Sequence, residues 1–326
     1  MQDVVDVGIH SSVFSQPSSE VLVASLSDRE LASSILYRGA HSAYLWERLH
    51  LAHAPSCQEA RSSSLYHQGF AALVERVTER SLGLVSLGCG LAEKETPLFE
   101  MAGDRLDQLV LIDASVELVA EAKRRCRLEV PNKAVCAVAA DLSRVKDWCR
   151  ILPVFKEGGR VFTLFGMVPN FDPKELFHRL SGCMDRGDWL LFDANLRPDA
   201  ASGDTSIPQN IVDQYDNAEC RQWLSASLAE LGIYENDGSL RFFTEQSPSL
   251  LSVPRIRVVF EFHRDLVTCV GGQRFQFHAG EELGVFYSIR YCRDDIPNLL
   301  DPIGIRLVQE WASDSGEDGL YLCQKP

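Results

Sequence analysis

The sequence predicts an α/β fold: a doubly wound, mostly parallel sheet that carries a second, smaller α+β unit. Three observations predict it. Between residues 82 and 196, apolar strand-like runs alternate with amphipathic helical stretches, the rhythm left by a parallel sheet with crossover helices. The alternation stops near Arg197, where a polar, turn-rich segment (199–209, DAASGDTSIPQ) intervenes. Near the end, two short strands at 305–312 and 319–323 flank an acidic turn and so predict a closing antiparallel hairpin.

Taken in order, residues 20–80 read as helical, because Leu22, Leu26, Leu31, Ile35 and Leu36, and then Leu45, Trp46, Leu49 and Leu51, recur at near-helical spacing. The first strand, 82–87, runs into Gly88-Cys89-Gly90. The second, 109–113 (LVLID), ends in a carboxylate and is followed by an amphipathic helix over 115–127 that Ser115 can cap. Strands follow at 134–142, 160–166 and 189–196, with a helix over 173–180. Beyond the turn-rich segment, 211–231 predicts one helix, 255–262, 273–278 and 285–291 predict strands, and 296–300 a short helix.

Composition narrows the classes. Forty-six Asp and Glu against 32 Lys and Arg give a net charge of −14, which argues against a nucleic-acid partner and suits a cationic ligand. No run of eighteen apolar residues occurs, so no membrane span and no membrane partner are expected. The first residues carry Asp3 and Asp6 and lack a basic stretch leading into an apolar one, so a cytoplasmic protein is expected. The ten cysteines form no Cys-x-x-Cys pair, several lie in apolar runs, and no ligand cluster is evident; reduced thiols and no metal are expected. The oligomeric state is open.

The candidate chemistry sits at the strand ends. Glycine at 88 and 90 lets the backbone turn sharply and approach a ligand, although the same pair also serves in ordinary strand-to-helix turns. Asp113 lies 23 residues after Gly90, where a carboxylate can accept hydrogen bonds from both hydroxyls of a ribose. Asp141 ends the third strand, beside the expected adenine. NAD is the competing ligand. A dinucleotide fingerprint wants glycine at position 93, where this chain has Glu93, whose charge repels a pyrophosphate. S-adenosylmethionine has no phosphate and carries a sulfonium and an ammonium. It is therefore the expected cofactor, with S-adenosylhomocysteine as product.

Longer segments carry a resemblance. LGCGLAEKE (87–95), LIDAS (111–115), AADL (139–142), FGMVPNFDP (165–173), DQYDNAE (213–219), RIRVVF (255–260), GEELGVFYSIRY (280–291) and GIRLVQEW (304–311) occur in the order and spacing of one family. The chain resembles, as a divergent member, the histidine-specific N-alpha-methyltransferases of ergothioneine biosynthesis and their relatives acting on other amino acids. The resemblance implies a Rossmann-like class I S-adenosylmethionine methyltransferase core over 66–197 and 291–326. It implies a substrate lobe over 198–290, with 1–65 as the helical N-terminal part of that lobe. It implies that Gly88, Gly90 and Lys94 line the methionine end of the cofactor, that Asp113 holds the ribose, and that Asp141 and Leu142 meet the adenine. Asn170 matches the asparagine that grips the backbone groups of an amino-acid substrate, and Tyr215 the tyrosine on its carboxylate. Tyr37 matches a tyrosine of the N-terminal lobe, and Ser288 a serine near the substrate side chain. Asn170, Tyr215 and Tyr37 are thus the candidate catalytic residues.

The departures bear on the substrate. The glutamate that binds imidazole in the histidine enzymes is Phe286 here, a methionine of the preceding strand is Val258, and Asn195 replaces an aspartate. An apolar ring leaves a polar imidazole unpaired, so the expected substrate is a small amino acid other than histidine, apolar, aromatic or arginine-like. Glu261, Glu281 and Glu282 are candidate partners for a guanidinium. Histidine N-alpha-methylation and a non-catalytic cofactor-binding relative stand as alternatives, and the methylated nitrogen and number of methyl groups are open.

Overall fold

The computed structural model describes residues 5–14, 18–53, 60–155, 158–198, 206–250 and 253–326. The expected turn-rich segment 199–209 falls largely outside them. In chain order the first elements are β1 (Gly8–Ile9), α1 (Ser11–Phe14), α2 (Ser18–Asp28), α3 (Gly39–His53), α4 (Ala60–Arg76), β2 (Leu82–Leu87), α5 (Thr96–Ala102), β3 (Leu106–Asp113), α6 (Val116–Glu129), β4 (Ala134–Ala139), β5 (Gly159–Leu164), α7 (Pro173–Cys183) and β6 (Trp189–Asn195). There follow α8 (Gln209–Asp213), α9 (Ala218–Ala229), β7 (Gly238–Gln246), β8 (Pro254–Phe262), β9 (Leu266–Val270), β10 (Gln273–Phe277), β11 (Glu282–Ile289), α10 (Asp295–Leu300), β12 (Arg306–Ala312) and β13 (Asp318–Gln324).

Eight strands form the main sheet in the order β1-β4-β3-β2-β5-β6-β13-β12. Strands β1 to β6 are parallel, and β13 joins β6 and β12 antiparallel. The Rossmann-like α/β core with its closing hairpin, expected from the sequence, is present. All six residues of β2 are buried, as a central strand covered on both faces requires. One face packs against α7 through Leu176, Phe177 and Leu180 and holds Trp148, Phe192 and Tyr321. The other packs under α4, α5 and α6 through Phe70, Leu73, Phe99 and Val119. The caps are local: Ser115 Oγ accepts from Leu118 N, and the Asp172 carboxylate accepts from Lys174 N and Glu175 N ahead of Pro173.

A second sheet, β11-β8-β7, is antiparallel and backs onto α2, α3 and α9 through a core of its own that contains Leu26, Trp223, Phe260, Phe262 and Phe277. Several expectations change here. The helix expected over 211–231 is two helices, because Asn217 accepts from Cys220 N and caps a new start, leaving Tyr215 in the break. Strands β7 and β9 were not expected: β7 alternates polar with apolar residues without an apolar run, and β9 meets β10 through Gly271-Gly272, both at positive φ, as a two-residue hairpin demands. At the other end, Gly8–Ile9 pairs with Val138–Ala139 of β4, so the first residues described join the main sheet, although 1–65 were expected to belong to the other unit.

Phe192 is fully buried between Phe177, edge-on at 5.1 Å, and Tyr321, stacked at 5.2 Å, and so couples β6 to α7 and to the closing hairpin. Phe192→Ala is expected to cost about 3–5 kcal/mol of stability, measured by urea denaturation; a cost near zero would mean the hairpin is held elsewhere.

Candidate active site

Strand order reverses between β3 and β5 on either side of β2, and the carboxyl ends of the parallel strands there open into a cavity of about 560 Å³. Its floor on the β4–β3–β2 side holds Gly88, Gly90, Asp113, Asp141 and Leu142. Gly88 and Gly90 have φ of +66° and +51°, and a Cβ on Gly88 would run into the Met167 side chain. One carboxylate oxygen of Asp113 accepts from Gly90 N at 2.9 Å and the other from Ser115 N at 2.8 Å. Burial pushes the Asp113 carboxyl up and these backbone bonds pull it back. A carboxylate has about four acceptor sites, so capacity remains for a hydroxyl arriving from the cavity even with the Ala114 amide also bearing on it. Asp141 accepts from Ser143 N at 3.0 Å. The first helix after Gly90 begins only at Thr96 and is seven residues long, so no helix end stands at the glycine turn to receive a phosphate.

The middle of the cavity is tied by Asp193, a residue the sequence reading passed over. Gly166 N donates to one of its oxygens at 2.6 Å; the Tyr66 hydroxyl at 2.6 Å and Lys94 Nζ at 3.0 Å donate to the other. Burial works against the Lys94 charge, but Asp193 beside it holds the ammonium above its ordinary range. Burial, with Lys94 nearby, pushes His50 down to about 4, so this cavity-lining imidazole is neutral at pH 7. Burial and then Asp113 raise the Tyr37 phenol, which stays protonated and can donate but is no base at neutral pH.

The far wall comes from the second sheet and the helix break. Asn170 gives its amide N–H to Tyr287 O at 2.9 Å. The Tyr215 hydroxyl lies 3.0 Å from Ser288 Oγ and receives hydrogen bonds from Asn195 Nδ2 and from Arg290, each at 3.2 Å. Arg290 is 4% exposed, stacks over the Tyr215 ring, and its Nε has no hydrogen-bond partner among the described residues. Aromatic rings run along this wall: Trp46 to Tyr37 at 6.1 Å, Tyr37 to Trp223 at 5.4 Å, Trp223 to Phe286 at 6.0 Å and Phe286 to Tyr215 at 6.2 Å.

Of the candidates named from the sequence, Gly88, Gly90, Lys94, Asp113, Asp141, Leu142, Asn170, Tyr215, Tyr37 and Phe286 line this one cavity. Two do not. Val258 is fully buried in the core that backs the second sheet, and the cavity lining does not include it. Ser288, also buried, sits behind the Tyr215 hydroxyl and holds it. The guanidinium partners expected at Glu261, Glu281 and Glu282 are paired instead with Arg241 and Arg29, away from the cavity. Asp193, Arg290, Trp223 and Asp318 line the cavity and were missed. An aspartate inside the apolar run LLFDANL could have flagged Asp193; nothing local marks Asp318 among the acids of its turn. Nine carboxylates line the cavity against two cationic side chains, Lys94 and Arg290, which favours a positively charged ligand. Among the described residues no group of three or more His, Cys, Asp or Glu could hold a metal ion, and no helix is long and apolar enough to cross a membrane.

No protein-family profile matches the chain, and no curated protein matches it in sequence. Solved structures do resemble it. A possible exported protein from Bordetella parapertussis is 13% identical with a TM-score of 0.47, over 94% of this chain and 86% of its own. An S-adenosylmethionine-dependent methyltransferase from Clostridium acetobutylicum ATCC 824 is 13% identical with a TM-score of 0.43, over 86% and 98%. Magnesium protoporphyrin IX methyltransferase from Synechocystis PCC 6803, solved with S-adenosylhomocysteine, is 11% identical with a TM-score of 0.43, over 88% and 95%. At this level of likeness no activity passes from them to this chain.

Two expectations follow from the site itself. Gly88→Ala places a side chain at positive φ, which costs about 1–2 kcal/mol before any contact is counted. Thermal denaturation should show a larger loss, part of it restored by adding Met167→Ala. Burial pushes the Asp318 carboxyl up to about 6 against the pull of Arg290, with Asp193 adding to the rise. A folded-state value above the unfolded one means that ionising this group costs stability. That cost is absent below about pH 4 and complete above about pH 6. The full shift is worth at most about 3 kcal/mol, less where cavity water screens the charge. Asp318→Asn should therefore match the parent below pH 4 and exceed its stability by ~1–2 kcal/mol at pH 7. Superimposable urea curves at both pH values would show that the charge is not disfavoured.

Proposed function

We propose that the chain transfers a methyl group from S-adenosylmethionine to a nitrogen of a free amino acid or amino-acid-like small molecule, and that histidine is not its substrate. One observation carries the reading. The Asp113 carboxylate is held by two backbone amides beside the glycine turn and keeps acceptor capacity for a ribose, and the same cavity continues to Tyr215 and Phe286. The absence of a helix start at Gly90 disfavours a dinucleotide pyrophosphate and suits a phosphate-free ligand.

In this reading Asp113 holds the ribose hydroxyls, Asp141 and Leu142 border the adenine, and Gly88, Gly90 and Lys94 flank the methionine end. The cofactor supplies an electrophilic methyl group on a sulfonium, so the protein mainly aligns and desolvates. Asn170 and Tyr215 orient the substrate's nitrogen and carboxylate, with Ser288 and Asn195 fixing the Tyr215 hydroxyl. The β11-β8-β7 sheet with α3 and α9 acts as the substrate lobe. Phe286, in the ring wall rather than a carboxylate, favours an apolar, aromatic or guanidinium side chain over an imidazole.

Asp113→Ala should weaken S-adenosylhomocysteine binding by about 1.5–3 kcal/mol in isothermal titration, the loss of charge-assisted hydrogen bonds. Unchanged affinity removes Asp113 from the site. A mass-spectrometric screen of free amino acids with the enzyme and S-adenosylmethionine should find a methylated product; histidine as the best substrate would refute the role given to Phe286, and cofactor binding without turnover of any amine would indicate a non-catalytic relative.

A further inference from the structure

Eight of the nine carboxylates lining the cavity have a partner. Glu93 pairs with Arg125 and Glu175 with Arg179. Glu95 accepts from Ser86 and Thr163, and Glu317 from Gln214. Asp113, Asp141 and Asp172 accept from backbone amides, and Asp193 from Lys94, Tyr66 and Gly166. The Asp318 carboxylate makes no hydrogen bond and no ion pair within 4 Å among the described residues. Arg290 is near enough to influence its charge but does not reach it. A carboxylate left open on a cavity wall, in surroundings that disfavour its charge, lacks the cation that would complete it.

Its place in the sheet says which cation. Asp318 is the first residue of β13 and lies opposite Asn195, the last residue of β6. Directly opposed residues of an antiparallel pair project on the same side, about 5 Å apart. Asp318 thus stands beside the Asn195 amide that holds the Tyr215 hydroxyl. Asp113 belongs to β3, four strands away across β2, β5 and β6. At the usual strand spacing that is about 19 Å, beyond the stretch from a ribose to the sulfonium it carries.

We propose that Asp318 binds the substrate's amine in its protonated form, which must release that proton to solvent before its lone pair can accept a methyl group, and that the substrate class is therefore a cationic or zwitterionic amine. The proposal rests on the methyl-transfer reading for the identity of the neighbouring cofactor. Its geometry suits an amino acid: the carboxylate of Asp318 and the guanidinium of Arg290, side by side and unpaired with each other, face the two charges of a zwitterion. The role also explains why a carboxylate that weakens the fold above pH 6 stands here at all.

The test uses the full chain and the Asp318→Asn variant in isothermal titration. S-adenosylhomocysteine is titrated first, and both proteins should bind it alike. Failure of the parent to bind it refutes the methyl-transfer reading; loss in the variant alone refutes the placement of Asp318 away from the cofactor. The loaded proteins are then titrated with the twenty free L-amino acids and, for each that binds, with its N-acetyl derivative, which lacks the ammonium. In the parent, acetylation should weaken binding about tenfold or more, the loss of a charge-assisted bond. In the variant, free and acetylated forms should bind within about twofold of each other, because the partner of the charge is gone. A melting temperature at or above the parent's shows that the variant is folded. Undiminished discrimination in the variant, parent binding indifferent to acetylation, or no binding of any of the twenty at millimolar concentration would each overturn the proposal.

Discussion

The carboxylate of Asp193 fastens the site. It is nearly buried at the carboxyl end of β6, and its two oxygens gather groups from three separate segments: the amide of Gly166 after β5, the ammonium of Lys94 after β2, and the hydroxyl of Tyr66 on α4. Two of those segments leave the sheet at the ends of β2 and β5, the third is helix α4, and one ion draws them to a common centre. A buried carboxylate is tolerable only when its lone pairs are filled in this way; removing one member would strand the others at a cost of several kcal/mol. The Lys94 ammonium lies over the Tyr66 ring at 5.2 Å, and the Phe165 ring meets Tyr66 edge-on at 5.3 Å.

Around that centre the parallel sheet imposes a division of labour. Every parallel strand delivers its carboxyl end to one edge, so Gly88, Asp113 and Asp141 arrive in the order β2, β3, β4 without further design. The hairpin works the other way. Because β13 runs antiparallel to β6, it is the amino end of β13 that meets this edge, and Asp318 comes to lie beside Asn195. The far wall has a similar origin: Asn217 stops one helix and starts the next, and Tyr215 is left in the gap with its hydroxyl free to meet Ser288, Asn195 and Arg290.

These placements are not the most stable available. Arg290 is buried with Nε unmatched, and Asp318 carries a charge that burial disfavours. Gly88 and Gly90 hold left-handed backbone against Met167 and Trp46. Beneath them the sheet interior is packed mainly from Val85, Phe162, Phe192 and Leu191, and its buried Ser86 and Thr163 hydroxyls are satisfied by Glu95. Unfavourable groups gathered at one cavity mark the place where a ligand, rather than the chain, supplies the missing partners.

The alternating core, the glycine turn, the acid at the end of the second strand and the hairpin are legible in the chain alone, because each is written in neighbouring residues: an apolar run, a turn residue, a cap. It also supplied Asn170, Tyr215 and Phe286 through segments whose order is informative. It did not reach β7, whose half-polar alternation resembles a surface loop, nor the break in the helix at Tyr215, where one capping side chain overrides local periodicity. That Val258 lies in a core and Asp318 at a cavity depends on how the folded chain assembles. Register pairs Asp318 with Asn195 and Val258 with Phe286, residues far apart in the chain; Val258 and Phe286 share one face of their sheet, and the packing of that core buries the first and leaves the second at the cavity.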